Sequence, residues 1–329
     1  MKKRILSGMR PTGRLHLGHY FGVLQNWVAL QDEFDCFFMV ADWHALTSEW
    51  KNSGAIPGNI RENAADWIAA GVDPEKSVVF VQSAVPEHAE LALVLSCITP
   101  LGWLERVPTY KEAQQQLAEK GVDNYAFLGY PVLQAADILL YKGDVVPVGE
   151  DQLPHLELTR EIVRRFHSTF GREIFPEPAA RLTPTPRLMG LDGRRMSKSF
   201  GNTIDLSEDL AEVEKKAKAM FTDPNRKKRT DPGNPHICNV FSFHGMLNTK
   251  ERHATIEADC KAARIGCVEC KGELAGRMLD WLRPIQERRA ALLAEPGKLD
   301  RILEAGNARA REVAARTMKE VREAVFKSR

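Results

Sequence analysis

His16 and His19, with Leu17 and Gly18 between them, put two imidazoles three residues apart where a helical pattern begins. Tyr20, Val23, Leu24, Trp27 and Leu30 recur at helical spacing after them, and Arg4-Ile5-Leu6 before them is apolar enough for a short buried strand. Strand, glycine-rich turn (Ser7 to Gly13) and helix start therefore follow in order. The unbonded N–H groups of a first helical turn, with the positive end of the helix dipole, suit a phosphate. Gly18 lets a ligand lie against the backbone, and the imidazoles can donate to phosphate oxygens whose charge grows in a transition state. The blander alternative is two surface histidines at a helix start.

A second stretch carries the same chemistry. Arg194-Arg195-Met196-Ser197-Lys198-Ser199 lies in a loop opened by Asp192-Gly193 and closed by Gly201-Asn202, with a lysine between two hydroxyls. Such a loop can fold over a triphosphate; otherwise it is a solvated basic loop. Between the two stretches, Tyr130 to Leu140 is an apolar helical run in which Tyr130, Gln134 and Asp137 share a face at i, i+4 and i+7. An unpaired buried carboxylate is costly, so Asp137 either makes a structural hydrogen bond or accepts one from a ligand N–H. Asp144-Val145-Val146-Pro147-Val148 is a strand that leads into Gly149-Glu150-Asp151-Gln152 at the start of a helix running to Phe166.

Cys238, Cys260, Cys267 and Cys270 form a C-x21-C-x6-C-x2-C set. Four thiols within so short a span suit a tetrahedral Zn²⁺ ion or a [4Fe–4S] cluster, and the uneven gaps do not match paired zinc knuckles. Plain buried cysteines are the alternative. Cys36 and Cys97 sit inside apolar runs and read as core residues.

The elements that must position these groups follow from the patterning. Asp35 to Ala41 and Val78 to Val81 are continuous apolar runs, as in strands covered on both faces. Asn59 to Ala70 is a helical pattern stopped by Gly71, and Val85-Pro86-Glu87 starts a helix through Leu95. This alternation implies βαβ units and a parallel sheet. In such open sheets ligands lie at the carboxyl ends of strands, where both the His16–His19 turn and the Gly149–Gln152 turn belong. A helical insertion is expected at about 103–140. Residues 201–329 read as mostly helical, with a Pro/Gly loop from Thr222 to His236 that contains the basic run Asn225 to Arg229.

With 329 residues, 43% of them hydrophobic, the chain can bury a large core or two. It has no 18-residue apolar run, and its basic start Met1-Lys2-Lys3-Arg4 precedes no signal-like segment, so a cytoplasmic protein away from membranes is expected. The six cysteines fit a reducing compartment without a disulfide framework. Net charge is only +2, but residues 201–329 hold 25 Lys and Arg against 20 Asp and Glu. That tilt fits a nucleic-acid-contacting C-terminal part.

The pair of motifs, in this order, resembles the HIGH and KMSKS signatures of class I aminoacyl-tRNA synthetases. With the Ser7–Gly13 opening, the Tyr-Pro-Val-Leu-Gln-Ala-Ala-Asp helix and Val-Pro-Val-Gly-Glu-Asp-Gln, the likeness extends over nearly the whole chain and narrows to the bacterial tryptophanyl group. The resemblance implies an α/β fold, a Rossmann-like parallel-sheet catalytic domain at 1–200, and an α-helical, tRNA anticodon-binding domain at 201–329. It implies ATP and Mg²⁺ as cofactors, L-tryptophan and tRNA(Trp) as partners, and a homodimer. Catalysis would fall to His16, His19 and Lys198. ATP would be met by Arg10, Pro11, Thr12, Gly18, His19, Gly149, Glu150, Asp151, Leu188, Arg195, Met196, Ser197, Lys198 and Ser199. Asp137 would accept the indole N–H of tryptophan, Tyr130 and Gln152 would hold its ammonium, Val146 and Val148 would line the ring pocket, and Gln134 would also bind tryptophan. The four cysteines resemble a subset of this group that carries a [4Fe–4S] cluster, with zinc as the alternative. Gln134 is also found in tyrosyl enzymes, as Tyr-x-x-x-Gln-x-x-Asp, which makes tyrosine the second amino acid to consider. A His-x-Gly-His nucleotidyltransferase and a sensor built on the four cysteines are the other classes. The first needs no KMSKS-like loop, and the second leaves both phosphate motifs unexplained.

Overall fold

The computed structural model describes residues 2–107, 124–182 and 188–326. In chain order its elements are β1 (Arg4–Met9), α1 (Leu17–His19), a π turn (Tyr20–Leu24), α2 (Gln25–Leu30), β2 (Asp35–Val40), α3 (Asp42–Glu49), α4 (Ile56–Ala69), β3 (Ser77–Val81), α5 (Glu87–Ser96) and α6 (Leu101–Glu105). They continue with α7 (Tyr125–Leu140), β4 (Val145–Val148), α8 (Leu153–Phe170), β5 (Ala179–Leu182), α9 (Leu210–Ala219), α10 (Asn239–Leu247), α11 (Lys250–Lys261), α12 (Cys267–Ala294) and α13 (Lys298–Val325). The expected insertion at about 103–140 is described only at its two ends, and residues 108–123 lie outside the described residues.

The chain divides into two compact units, each discontinuous in sequence. The first comprises residues 1–13, 26–184 and 295–329; the second comprises 14–25 and 185–294. Contact density thus does not divide the chain at residue 200, because α13 packs on the sheet of the first unit while the His16–His19 turn packs with the helices of the second.

The first unit is built on five parallel strands in the order β3-β2-β1-β4-β5. Alternate residues of β2 feed two cores. Phe37 and Met39 join Leu6, Phe80, Leu139 and Tyr141 on one face, while Phe38 stacks on Trp27 at 4.4 Å, and Trp67 meets Trp27 edge-on, on the other. That double burial explains the unbroken apolar run. The strand order reverses between β1 and β4, which pair through Ile5 and Val145. A ligand crevice belongs at the carboxyl ends of those two strands.

The second unit is helical. Val213 and Ala217 of α9, Phe243 of α10, and Leu274, Met278 and Leu282 of α12 are all buried. Gln286 of α12 donates from Nε2 to the carbonyls of Leu206 and Glu208 at 3.0 and 2.7 Å, fixing the segment that follows the basic loop.

No helix among the described residues is long and apolar enough to cross a membrane. Cys36 is buried, as expected, but Cys97 is exposed. Leu91 and Leu95 turn α5 inward, and Cys97, two residues past Leu95 at the C-cap, lies on the opposite side.

Candidate active site

Within the second unit the His16–His19 turn is laced to the segment beyond the basic loop. Leu17 N donates to Ile204 O at 2.9 Å, and Leu206 N to Leu15 O at 2.8 Å. His16 caps the helix through Nδ1, which accepts from Gly18 N at 3.1 Å, while His19 Nδ1 accepts from His16 N at 3.1 Å. Two imidazoles thus form the reciprocal box that Ser and Glu usually make. Both Nδ1 atoms are occupied as acceptors, which puts each ring's proton on Nε2. Burial, and then Lys198, lower His16 to about 4; burial, then His16 and Lys198, lower His19 to about 3. The pair is neutral near pH 7, with ring centroids 3.8 Å apart. A Cβ at residue 18 would stand 2.9 Å from the His16 ring and 3.7 Å from Met196 Sδ, so glycine is needed where the basic loop lies against the turn.

The loop is held at its base. Met196 N donates to Leu188 O at 2.9 Å. The buried Asn202 accepts from Ser197 N at 2.8 Å and donates from Nδ2 to Asp192 Oδ1 and Arg195 O at 2.8 and 3.1 Å. Asn202 above all, and then Arg194, hold Asp192 at about 2 despite its partial desolvation. Lys198 and Ser199 are exposed on a short turn that ends at Gly201.

In the first unit, Asp137 is 2% exposed and takes three hydrogen bonds. His44 Nε2 bonds Oδ2 at 2.7 Å, while Gln82 Nε2 and His88 Nδ1 bond Oδ1 at 2.8 and 2.6 Å. Burial pushes this carboxyl up, but His44 and His88 outweigh it and hold the group at about 2. Sequence reasoning missed His44, Gln82 and His88. His44 and Gln82 follow the ends of β2 and β3, where the carboxyl-end rule points. His88 is a polar residue inside an apolar helix pattern. On the face shared with Asp137, the Tyr130 hydroxyl bonds His155 Nε2 at 2.6 Å, and Gln134 is half-buried. Val146 and Val148 lie in the main core on alternate positions of β4. Past that strand, Gly149 caps a short turn in which Gln152 donates to Asp151 Oδ2 at 2.9 Å. Arg10, Pro11 and Thr12 lie on the loop after β1; Arg10 Nη1 reaches Ser48 Oγ at 3.5 Å, and Asn63 Nδ2 holds Gly13 O at 2.9 Å. An apolar cavity of about 740 Å³ opens beside Tyr130 and Trp43, lined also by the exposed Leu93, Leu101 and Tyr125.

The four cysteines come from three helices of the second unit: Cys238 caps α10, Cys260 lies near the end of α11, and Cys267 and Cys270 form the first turn of α12. Burial, followed by Cys238, Cys260, Glu273 and Cys267, pushes Cys270 up to about 12. Burial pushes Cys238 up, against a lowering by the backbone of Phe241, Asp223 and Val240, and Arg226 Nη1 reaches Cys260 Sγ at 3.9 Å. By its chemistry alone this donor set suits a four-thiolate group. Among the described residues, however, no group of three or more His, Cys, Asp or Glu is placed to hold a metal ion.

The family profile "tRNA synthetases class I (W and Y)" matches residues 1–282. The chain is 51% identical to the tryptophan–tRNA ligase of Thermotoga maritima, over 98% of each chain. It is 46% identical to that of Aquifex aeolicus, over 98% of this chain and 99% of the relative. The fold is similar to the tryptophanyl-tRNA synthetase of Campylobacter jejuni solved with ADP and tryptophan, with a TM-score of 0.89, 33% identity and coverage of 98% and 99%.

Proposed function

The chain belongs to the class I tRNA synthetases of the tryptophan and tyrosine group, and on that footing we propose how its residues share the work. It activates L-tryptophan with ATP and then charges tRNA(Trp). The tryptophan carboxylate attacks the α-phosphate in line, pyrophosphate leaves with the electron pair of the broken P–O bond, and tryptophanyl-adenylate remains. Catalysis of this kind is positioning plus stabilisation of spreading negative charge. The Nε2–H groups of His16 and His19 and the ammonium of Lys198 supply that stabilisation, and Mg²⁺ travels with the nucleotide. A terminal tRNA hydroxyl then takes the acyl group and releases AMP.

The observation that carries this reading is the conjunction, inside one unit, of the neutral His16–His19 pair with the Lys198 loop, whose charge both rings feel. Arg10, Pro11, Thr12, Gly18, Gly149, Glu150, Asp151 and Leu188 meet ATP, and Arg195 to Ser199 close over its phosphates. Asp137 accepts the indole N–H, Tyr130 and Gln152 hold the ammonium, Val146 and Val148 line the ring, and Gln134 also belongs to the tryptophan site. The test is exchange of pyrophosphate into ATP with each amino acid offered in turn. Tryptophan should support it without tRNA, and better support by tyrosine would overturn the assignment. His19→Ala and Lys198→Ala should each lower kcat by about 10²–10³-fold, and Asp137→Ala should weaken tryptophan binding by about 2–4 kcal/mol.

The helical part of 201–329, with its basic run at 225–229, is assigned to tRNA. Cys238, Cys260, Cys267 and Cys270 would hold a [4Fe–4S] cluster, or zinc, which would pin the polar loops around them. A second copy of the chain would cover the apolar groove of Leu93, Leu101 and Tyr125, giving a homodimer.

A further inference from the structure

We propose that His88 is a positioning residue for tryptophan recognition, acting through Asp137; this rests on the reading of Asp137 as the acceptor of the indole N–H. His88 is fully buried, and both of its ring nitrogens are bonded: Nδ1 to Asp137 Oδ1 at 2.6 Å and Nε2 to the Tyr141 hydroxyl at 2.8 Å. Tyr141 is itself fully buried, so it keeps its proton, and its O–H must donate to an acceptor. That acceptor is His88 Nε2. The ring proton therefore sits on Nδ1 and is donated to Asp137. Phe80, stacked on the ring at 6.0 Å between centroids, fixes its plane.

The consequence falls on Asp137. A carboxylate offers about four acceptor positions, two on each oxygen. Gln82 and His88 fill both on Oδ1, whereas His44 fills one on Oδ2. The one position left to a ligand N–H lies on Oδ2, and the carboxylate cannot rotate to offer another while His88 holds Oδ1. His88 thus selects which oxygen reads the ligand without touching it. A site built in this way rejects a ligand that lacks the N–H, because the acceptor is then left unpaired.

The test compares pyrophosphate exchange supported by tryptophan with that supported by its benzothiophene isostere, in which sulfur replaces the indole N–H. His88→Met should raise the KM for tryptophan about 10- to 100-fold with kcat nearly unchanged, and cut the preference for tryptophan over the isostere at least about tenfold. His88→Asn, whose Nδ2 can donate from near the place of Nδ1, should keep most of the preference. Tyr141→Phe, which frees the ring to move its proton, should lose part of it, and this variant together with His88→Asn decides the matter if His88→Met does not fold. A preference kept in His88→Met but lost in Asp137→Ala overturns the role of His88 and leaves that of Asp137. A preference kept in Asp137→Ala overturns both. Equal loss in His88→Asn and His88→Met also overturns the proposal, since restoring the donor would then restore nothing.

Discussion

Gly306 of α13 lies so close to Val79 of β3 that a Cβ there would overlap the Val79 carbonyl oxygen and stand 2.7 Å from its carbonyl carbon. One residue on, the buried Asn307 accepts from Val81 N through Oδ1 at 2.9 Å. β3 is one of the sheet's two edge strands, pairing only with β2, and α13 covers it while satisfying one of its donors. Gly306→Ala must push the helix off the strand. A loss of about 1–3 kcal/mol in urea unfolding is expected, the usual cost of overpacking. Unchanged stability would mean that α13 can move away without loss.

The same contact shows where sequence reading ran out. That residues 201–329 are mostly helical was legible, but the partner of α13 was not: nothing local says that a glycine and an asparagine on its buried face meet a strand more than 200 residues earlier. The strands β2 and β3 were legible because burial on both faces leaves continuous apolar runs, and β1 showed itself only through Ile5 and Leu6. β5 was not, since Ala179–Leu182 is half exposed and carries no such run. The His16–His19 turn and the Lys198 loop declared themselves by residue type and order. Asp137 did so by its place on an apolar helix, but its partners His44, Gln82 and His88 are scattered over separate elements and gather only when the sheet forms.

The depressed His16 and His19 give the protein an acid-side weakness. Unfolded, each takes up a proton near its ordinary value of 6.5; folded, they resist protonation down to about 4 and about 3. Between those limits the unfolded chain binds more protons, so this contribution is fully present above pH 6.5 and is lost as pH falls through the window. His19→Asn should therefore lose less stability than the wild type between pH 7 and pH 5 in urea unfolding. Parallel losses would show that the histidine is not protected in the folded state.

Cys36 and Cys97 should differ sharply toward a thiol reagent. Burial first, and the neighbouring Asp35 second, push Cys36 up to about 12, and its side chain is inaccessible. Cys97 is exposed at the end of α5. Alkylation of the native protein followed by peptide mass analysis should label Cys97 readily and Cys36 only after unfolding, because reaction needs both a thiolate and access. Equal labelling of the two in the native state would contradict the burial of Cys36.

Serine at Cys238 and serine at Cys267 should separate two roles of the cysteine region. Asn239, next to Cys238, donates from Nδ2 to Gly190 O at 2.5 Å, at the base of the Lys198 loop. Phe221 N donates to Leu191 O at 2.8 Å, in the same loop. The Lys198 loop, proposed to close over phosphate, is therefore tied to the residue beside Cys238. Cys267 and Cys270 lie instead at the start of α12, where Glu269 pairs with Arg229 of the basic run. Both variants should lose the iron of the proposed cluster. Cys267→Ser should impair tRNA charging more than pyrophosphate exchange, whereas Cys238→Ser should slow both. Anaerobically prepared protein should hold about four iron and four sulfide per chain. One zinc and no sulfide would defeat the cluster, and equal damage to both reactions by Cys267→Ser would defeat its RNA-facing role.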